Sequence, residues 1–222
     1  MAEVLAVEHE TAPPAHQFDN AEQQHDAVTM GMWVFLVTEV MFFGGLFTTY
    51  VVYRTWYPAA FAVASQELDI VLGTANTAVL LLSSFTMVVA VYGAQVGRQR
   101  ILIGGLAMTI LLGLAFLAIK FYEYYQKYLE HHVPGPFFSF PAPYTEQAKM
   151  YFTLYFAMTG LHAVHMIVGC GLLAVLMVMA WRGRFTPGYH NPVEVSGLYW
   201  HFVDIIWIFL YPLLYLIGRH LE

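Results

Sequence analysis

The chain has 222 residues, 59% of them hydrophobic and 11% charged, with a formal net charge of −6. A soluble domain carries about 25% charged residues, so the composition excludes one and describes an integral membrane protein. It also argues against nucleic-acid binding, since no basic stripe is present, and against a disulfide framework or thiolate metal site, since Cys170 is the single cysteine.

Residues 1–28 read as a polar tail in which Glu3, Glu8, Glu10, Asp19, Glu22 and Asp26 have no Lys or Arg among them. His9, His16 and His25 lie between these carboxylates. A secretory signal opens with a basic region and a short apolar core, and the tail has neither, so the first membrane helix is expected to be retained. Residues 29–222 then read as one domain. The expected fold is all-α: a bundle of five transmembrane helices over 30–53, 70–94, 101–124, 151–181 and 195–217.

The first span holds Glu39 near its centre, with no other charge before Arg54. A charged group there costs on the order of 2.5–3.5 kcal/mol, so Glu39 is expected to face protein rather than lipid. It serves either function and assembly or a plain bond between helices. In the second span, Asn76, Thr77, Ser83 and Ser84 suit cross-helix hydrogen bonds. The third closes with Tyr122-Glu123-Tyr124-Tyr125, where Glu123 is either hydrated near the interface or paired with an intramembrane histidine.

The connection that follows contains Pro134-Gly135-Pro136 and Pro141-Ala142-Pro143, which is loop chemistry. His131-His132 resembles half of a di-iron histidine box, but its depth differs from that of His162 and His165, which argues against a shared site. Those two lie in the overlong fourth span at i and i+3, so both imidazoles can point at one neighbour. Metal ligation and polar helix packing are both open to them. Cys170, within Val168-Gly169-Cys170-Gly171, reads as a small residue at a helix contact. In the fifth span His201 and Asp204 are again three apart, with no nucleophile beside them. Glu123, His162, His165, His201 and Asp204 are therefore expected to form a polar helix-packing cluster. No catalytic residue and no metal set is assigned.

Arg98 with Arg100, and Arg182 with Arg184, lie in two short connections, while Arg54, Lys127, Lys149 and Arg219 lie on the other side. Their density places the arginine-bearing loops and the amino terminus in the cytoplasm.

Five blocks in order resemble subunit III of the haem–copper respiratory oxidases. They are Trp33 to Phe43 around Thr38-Glu39, Asn76-Thr77 with Leu82-Ser83-Ser84, Glu123-Tyr124, Thr159 to Gly169 around His162 and His165, and Tyr199 to Trp207. Longer members have seven helices and a lipid-filled cleft; five-helix forms occur among quinol oxidases and many bacterial cytochrome c oxidases. The resemblance implies a non-catalytic subunit of a proton-pumping oxidase in a bacterial inner membrane, its carboxyl terminus outside. It implies haem and copper in partner subunits and none in this chain, bound phospholipid, and contact with subunit I, subunit II and a small subunit IV. It further implies protection of the catalytic subunit, support of proton uptake, and a match of Glu39 to the family's carbodiimide-reactive carboxylate. His9, His16 and His25 could then act as a proton antenna, the alternative being a solvated tail. The rival readings are a quinol-oxidase subunit, a nitric-oxide-reductase-associated protein, a proton-coupled transporter using Glu39, and a metalloenzyme using His131, His132, His162 and His165.

Overall fold

A computed structural model describes residues 17–217. Six α-helices run in chain order: α1 (Ala21–Trp56), α2 (Pro58–Gln66), α3 (Ile70–Gln95), α4 (Gln99–Leu129), α5 (Thr145–Trp181) and α6 (Asn191–Tyr211). A π-turn, Pro212–Leu216, closes the last helix. Five of the helices are long and apolar enough to cross a membrane, and the chain is an all-α membrane bundle, as expected. His9 and His16 lie outside the described residues, and His25 is exposed on the first turns of α1.

The helix ends explain where the spans depart from a reading by hydropathy alone. Helix α1 starts at Ala21, well before the apolar run, because the Asn20 side chain accepts from the Gln23 amide at 2.8 Å and caps it. Asp69 caps α3 through the amides of Val71 and Leu72. Pro58 stands in the first turn of α2 and Pro192 in that of α6, where a missing N–H costs nothing. At the other ends, Gly97 (φ 69°) and Gly183 (φ 70°) take the left-handed conformation that stops α3 and α5. There Arg98 N–H reaches back to the Gly93 carbonyl and Arg184 N–H to that of Met179. His131 (φ 58°) ends α4 in the same way, with a side chain where glycine is usual.

Helices α3 and α4 form the tightest pair, and the reason is glycine. A methyl group at Gly105 would stand 2.8 Å from the Ala90 backbone, and one at Gly93 would stand 2.6 Å from the Leu102 nitrogen. One turn beyond the Gly105 notch the Thr86 and Thr109 hydroxyls bond at 2.8 Å. Close backbone approach through small residues is what drives association where lipid removes the hydrophobic incentive. Trp200 of α6 then fills a notch between Gly113 of α4 and Gly169 of α5, while its Nε1 donates to Ser83 Oγ of α3 at 3.0 Å. One indole of α6 thus touches three other helices.

Helix α1 is peripheral. Its buried residues Leu36, Phe43 and Tyr50 recur every seven positions and form one seam against α5 and α6. The rest of its surface, including Trp33, Met41, Phe42 and Val51, is apolar and exposed, as a membrane allows.

Gly105→Ala should separate α3 from α4 and destabilise the bundle by about 1–3 kcal/mol. Gly104→Ala, one position away and facing open space, should be neutral or slightly stabilising because alanine is the better helix former. Denaturant titration of the two variants in detergent checks the contrast.

Candidate functional site

Near the α2 end of the bundle, a lysine and a glutamate are buried together at 1% exposure each. Lys120 and Glu123 lie three residues apart on α4 and so share a face. The Lys120 Nζ donates to Glu123 Oε2 at 3.0 Å, to the Tyr155 hydroxyl at 3.0 Å and to the Tyr215 hydroxyl at 2.6 Å. Each tyrosine passes a bond on, since Tyr155 donates to Glu123 Oε1 at 2.9 Å and Tyr215 does so at 2.6 Å. All three ammonium protons and both carboxylate oxygens are used. The aromatic faces of Tyr155 (4.7 Å), Trp207 (5.1 Å) and Tyr215 (5.2 Å) add cation–π attraction. Glu123 is thus neither hydrated at the interface nor paired with a histidine.

The π-turn is tied into the same node. Tyr50 of α1 donates to the Leu213 carbonyl at 2.6 Å, and Tyr151 of α5 donates to that of Leu214 at 2.7 Å. Both carbonyls belong to the π-turn.

The second intramembrane pair joins α1 to α5. Glu39 Oε2 lies 3.2 Å from His165 Nε2, both side chains being mostly buried, and the imidazole packs on Phe43 and Tyr199. His165 Nδ1 is 2.9 Å from the Leu161 carbonyl. A carbonyl only accepts, so Nδ1 carries hydrogen. One further proton is then shared between Nε2 and Glu39, held on oxygen or on nitrogen, and the pair is neutral overall either way.

His162 and His165 do not face one neighbour. His162 turns inward against Phe116 of α4 and Trp207 of α6, fully buried, with neither nitrogen hydrogen-bonded to protein. His201 and Asp204 are not paired either. His201 Nδ1 bonds Ser84 Oγ at 2.7 Å, and Asp204, 3% exposed, sits beside the same hydroxyl without a well-formed bond. The five polar residues expected as one cluster therefore separate into an ion-pair node (Glu123), a pair with α1 (His165), an enclosed imidazole (His162) and an α3–α6 seam (His201, Asp204). Asn76 is buried in α3, and Thr77 beside it accepts from Trp207 Nε1 at 3.1 Å.

His132 lies beyond the end of α4, stacked on Phe152 at 5.0 Å and 3.3 Å from Glu130. Burial pushes its imidazole below the ordinary range, and Lys127 acts in the same direction. Glu130 also pairs with Lys127, whose Nζ donates to the Glu67 carbonyl at 2.6 Å. Among the described residues no three of His, Cys, Asp and Glu gather as a metal site would require.

Lys120, Tyr155 and Tyr151 were not singled out by sequence. Opposite charges at i and i+3 inside an apolar span were a usable signal for the first of them. The tyrosines carry no such local mark.

These features define a class: a helical membrane subunit whose intramembrane ionisable residues are engaged mainly with one another. The family model of cytochrome c oxidase subunit III matches residues 12–219. Cytochrome c oxidase subunit 3 of Scyliorhinus canicula and that of Danio rerio are each 34% identical over 200 residues, which is 85% of this chain and 69% of the relative. That of Papio hamadryas is 32% identical over 199 residues, with the same coverage. The chain belongs to the cytochrome c oxidase subunit III family.

Glu39→Gln should be mild, because an amide N–H can still donate to His165 Nε2. Glu39→Ala should cost about 1–3 kcal/mol by leaving that nitrogen unpaired. Thermal melts of the two variants give the order, and equal losses would contradict it.

Proposed function

We propose that the chain is a non-catalytic subunit of a proton-pumping haem–copper terminal oxidase that draws electrons from cytochrome c. It packs on the catalytic subunit, stabilises it during turnover and supports proton uptake. The observation that carries this reading is the family match across residues 12–219. The names of the relatives favour cytochrome c over quinol as the donor. The donor set is consistent with redox metals held by partner subunits. His165 is committed to Glu39 and a carbonyl, His201 to Ser84, and His162 is enclosed by rings.

Partner contact with subunits I, II and IV would use the apolar exterior, of which α1 offers the largest share. A groove of about 610 Å³ between the start of α1 and helices α5 and α6 is lined by Val28, Val168, Leu172, Val175 and Val195. Its shape and chemistry suit a phospholipid chain. Asn20, the α3–α4 turn with Arg98, and the α5–α6 turn with Arg182 and Arg184 share one end of the bundle. A bacterial inner membrane with that end in the cytoplasm satisfies the positive-inside rule. Glu39 and the polar residues of α4, α5 and α6 act in packing and assembly.

Stripping this subunit from the complex should leave oxygen reduction measurable but make it decay faster during turnover, with haem and copper per complex unchanged. Activity traces with metal analysis test this. A metal centre lost in proportion to the subunit would refute the non-catalytic role.

The amino-terminal histidines are assigned as a proton antenna on the uptake side. Histidine titrates near pH 6.5, and neighbouring carboxylates favour its charged form. Deleting residues 1–19, which keeps the Asn20 cap, should slow proton uptake increasingly as pH rises above neutrality, with assembly intact. An unchanged pH–activity profile would leave the tail a solvated extension.

A further inference from the structure

A surface cavity has Glu123 of the ion pair in its wall. It measures about 680 Å³ and opens between the α2–α3 turn and the last turns of α4, walled by Glu67, Asp69, Gln126, Lys127 and Glu130, with Glu123 also lining it. Three carboxylates against one ammonium make the mouth acidic, which raises the local concentration of cations, protons included. The mouth is poorly arranged to hold a metal. Asp69 is occupied by two backbone amides and Glu130 by Lys127. A proton needs no such cage, and Glu123 in the cavity wall is a carboxylate.

Protonating that carboxylate has a defined structural consequence. Oε2 accepts from the ammonium and Oε1 from two phenols. A proton added to Oε2 sets one donor against another and leaves Lys120 a buried cation without its anion, an arrangement that is strongly disfavoured. The bond from Tyr215 to Oε1 weakens, because a neutral carboxyl accepts less strongly than a carboxylate. Tyr215 belongs to the π-turn, whose remaining ties are the carbonyl bonds from Tyr50 and Tyr151 and the ring contacts of Tyr215 with Tyr155, Trp207 and Tyr211. Facing the pair are Lys120 and Tyr124 from α4, Tyr151, Tyr155 and His162 from α5, and Tyr215 itself. Among these, Glu123 is the only carboxylate.

We propose that the cavity is a proton-exchange port, through which uptake of one proton by Glu123 releases Tyr215 and the carboxy-terminal π-turn. The proton comes from the aqueous phase at the α2 end and rests on Oε2; no other bond is made or broken covalently. The inference goes beyond the oxidase role and stands or falls separately from it.

The test is amide hydrogen exchange of residues 210–217 in the assembled complex, expressed as protection so that intrinsic exchange is removed. Opening coupled to uptake of one proton shifts the equilibrium about tenfold for each pH unit through which the group titrates. Protection in the wild-type protein should fall with that slope once the pH is low enough for Glu123 to take up the proton. Glu123→Gln should give protection independent of pH. Should that variant fail to assemble, Lys120→Met combined with Glu123→Leu removes both charges at similar volume and should also be flat. His132→Phe, which removes the nearest loop imidazole, should keep the slope. Gln126→Trp, which fills the cavity, should slow the response to a pH jump and leave the equilibrium slope alone. A wild type without slope, a slope that survives loss of Glu123, or one that vanishes with His132 overturns the proposal. An unchanged rate in Gln126→Trp overturns the route.

Discussion

The Lys120–Glu123 pair constrains the α2 end of the bundle because neither charge can stand alone. In a low-dielectric interior each ion loses several kcal/mol of hydration, and their mutual attraction offsets this only if every remaining donor and acceptor is satisfied. Tyr155 and Tyr215 supply that completion from α5 and from the π-turn after α6. Three segments distant in sequence must therefore arrive together. The π-turn then follows from the node, because the two carbonyls at the end of the helix are those taken by Tyr50 and Tyr151. One buried pair thereby fixes how the last residues of the final span meet α1, α4 and α5.

Away from that node the bundle is held by shape. Gly93 and Gly105 bring α3 onto α4, and Gly113 and Gly169 admit Trp200. In lipid, burial of apolar surface between helices gains little over burial against acyl chains, so close contact and interhelical hydrogen bonds take over. The indoles show both at once. Trp200 fills a glycine notch and bonds Ser83, while Trp207 meets Phe116 edge-on at 4.8 Å and bonds Thr77. Helix α1 lacks such notches, since Gly31, Gly44 and Gly45 face open space. Its attachment rests on one heptad seam, the Tyr50 bond and the Glu39–His165 contact.

The spans and the cross-helix role of Ser83, Ser84 and Thr77 were legible because hydropathy and small polar residues are local signals. Helix ends were less so. Hydropathy places the start of the first span near Met30, whereas the Asn20 cap and an exposed polar turn carry α1 back to Ala21. The intramembrane site was legible in its parts and not in its pairings. Spacing of three residues put His162 and His165 on similar faces, yet the angle between positions three apart, about 60° short of a full turn at 3.6 residues per turn, is enough to send one into the core and the other to α1. Lys120 was hidden by its surroundings, an apolar run in which one ammonium hardly alters the mean. Its partners Tyr155 and Tyr215 follow only once three helices have been placed.

The two intramembrane carboxyl groups differ in how the fold treats them. Glu123 sits in a closed set of bonds with Lys120 and two phenols, so a change in its charge alters the packing. Glu39 has one partner, a histidine whose other nitrogen is fixed by a carbonyl, so a single proton can lie on either side of the contact without changing net charge. Such a pair can join a thinly attached helix to the bundle without burying an ion that needs compensation. Its hydrogen bond survives whichever atom holds the proton. That tolerance fits a helix whose exposed apolar face is available to lipid and neighbouring subunits.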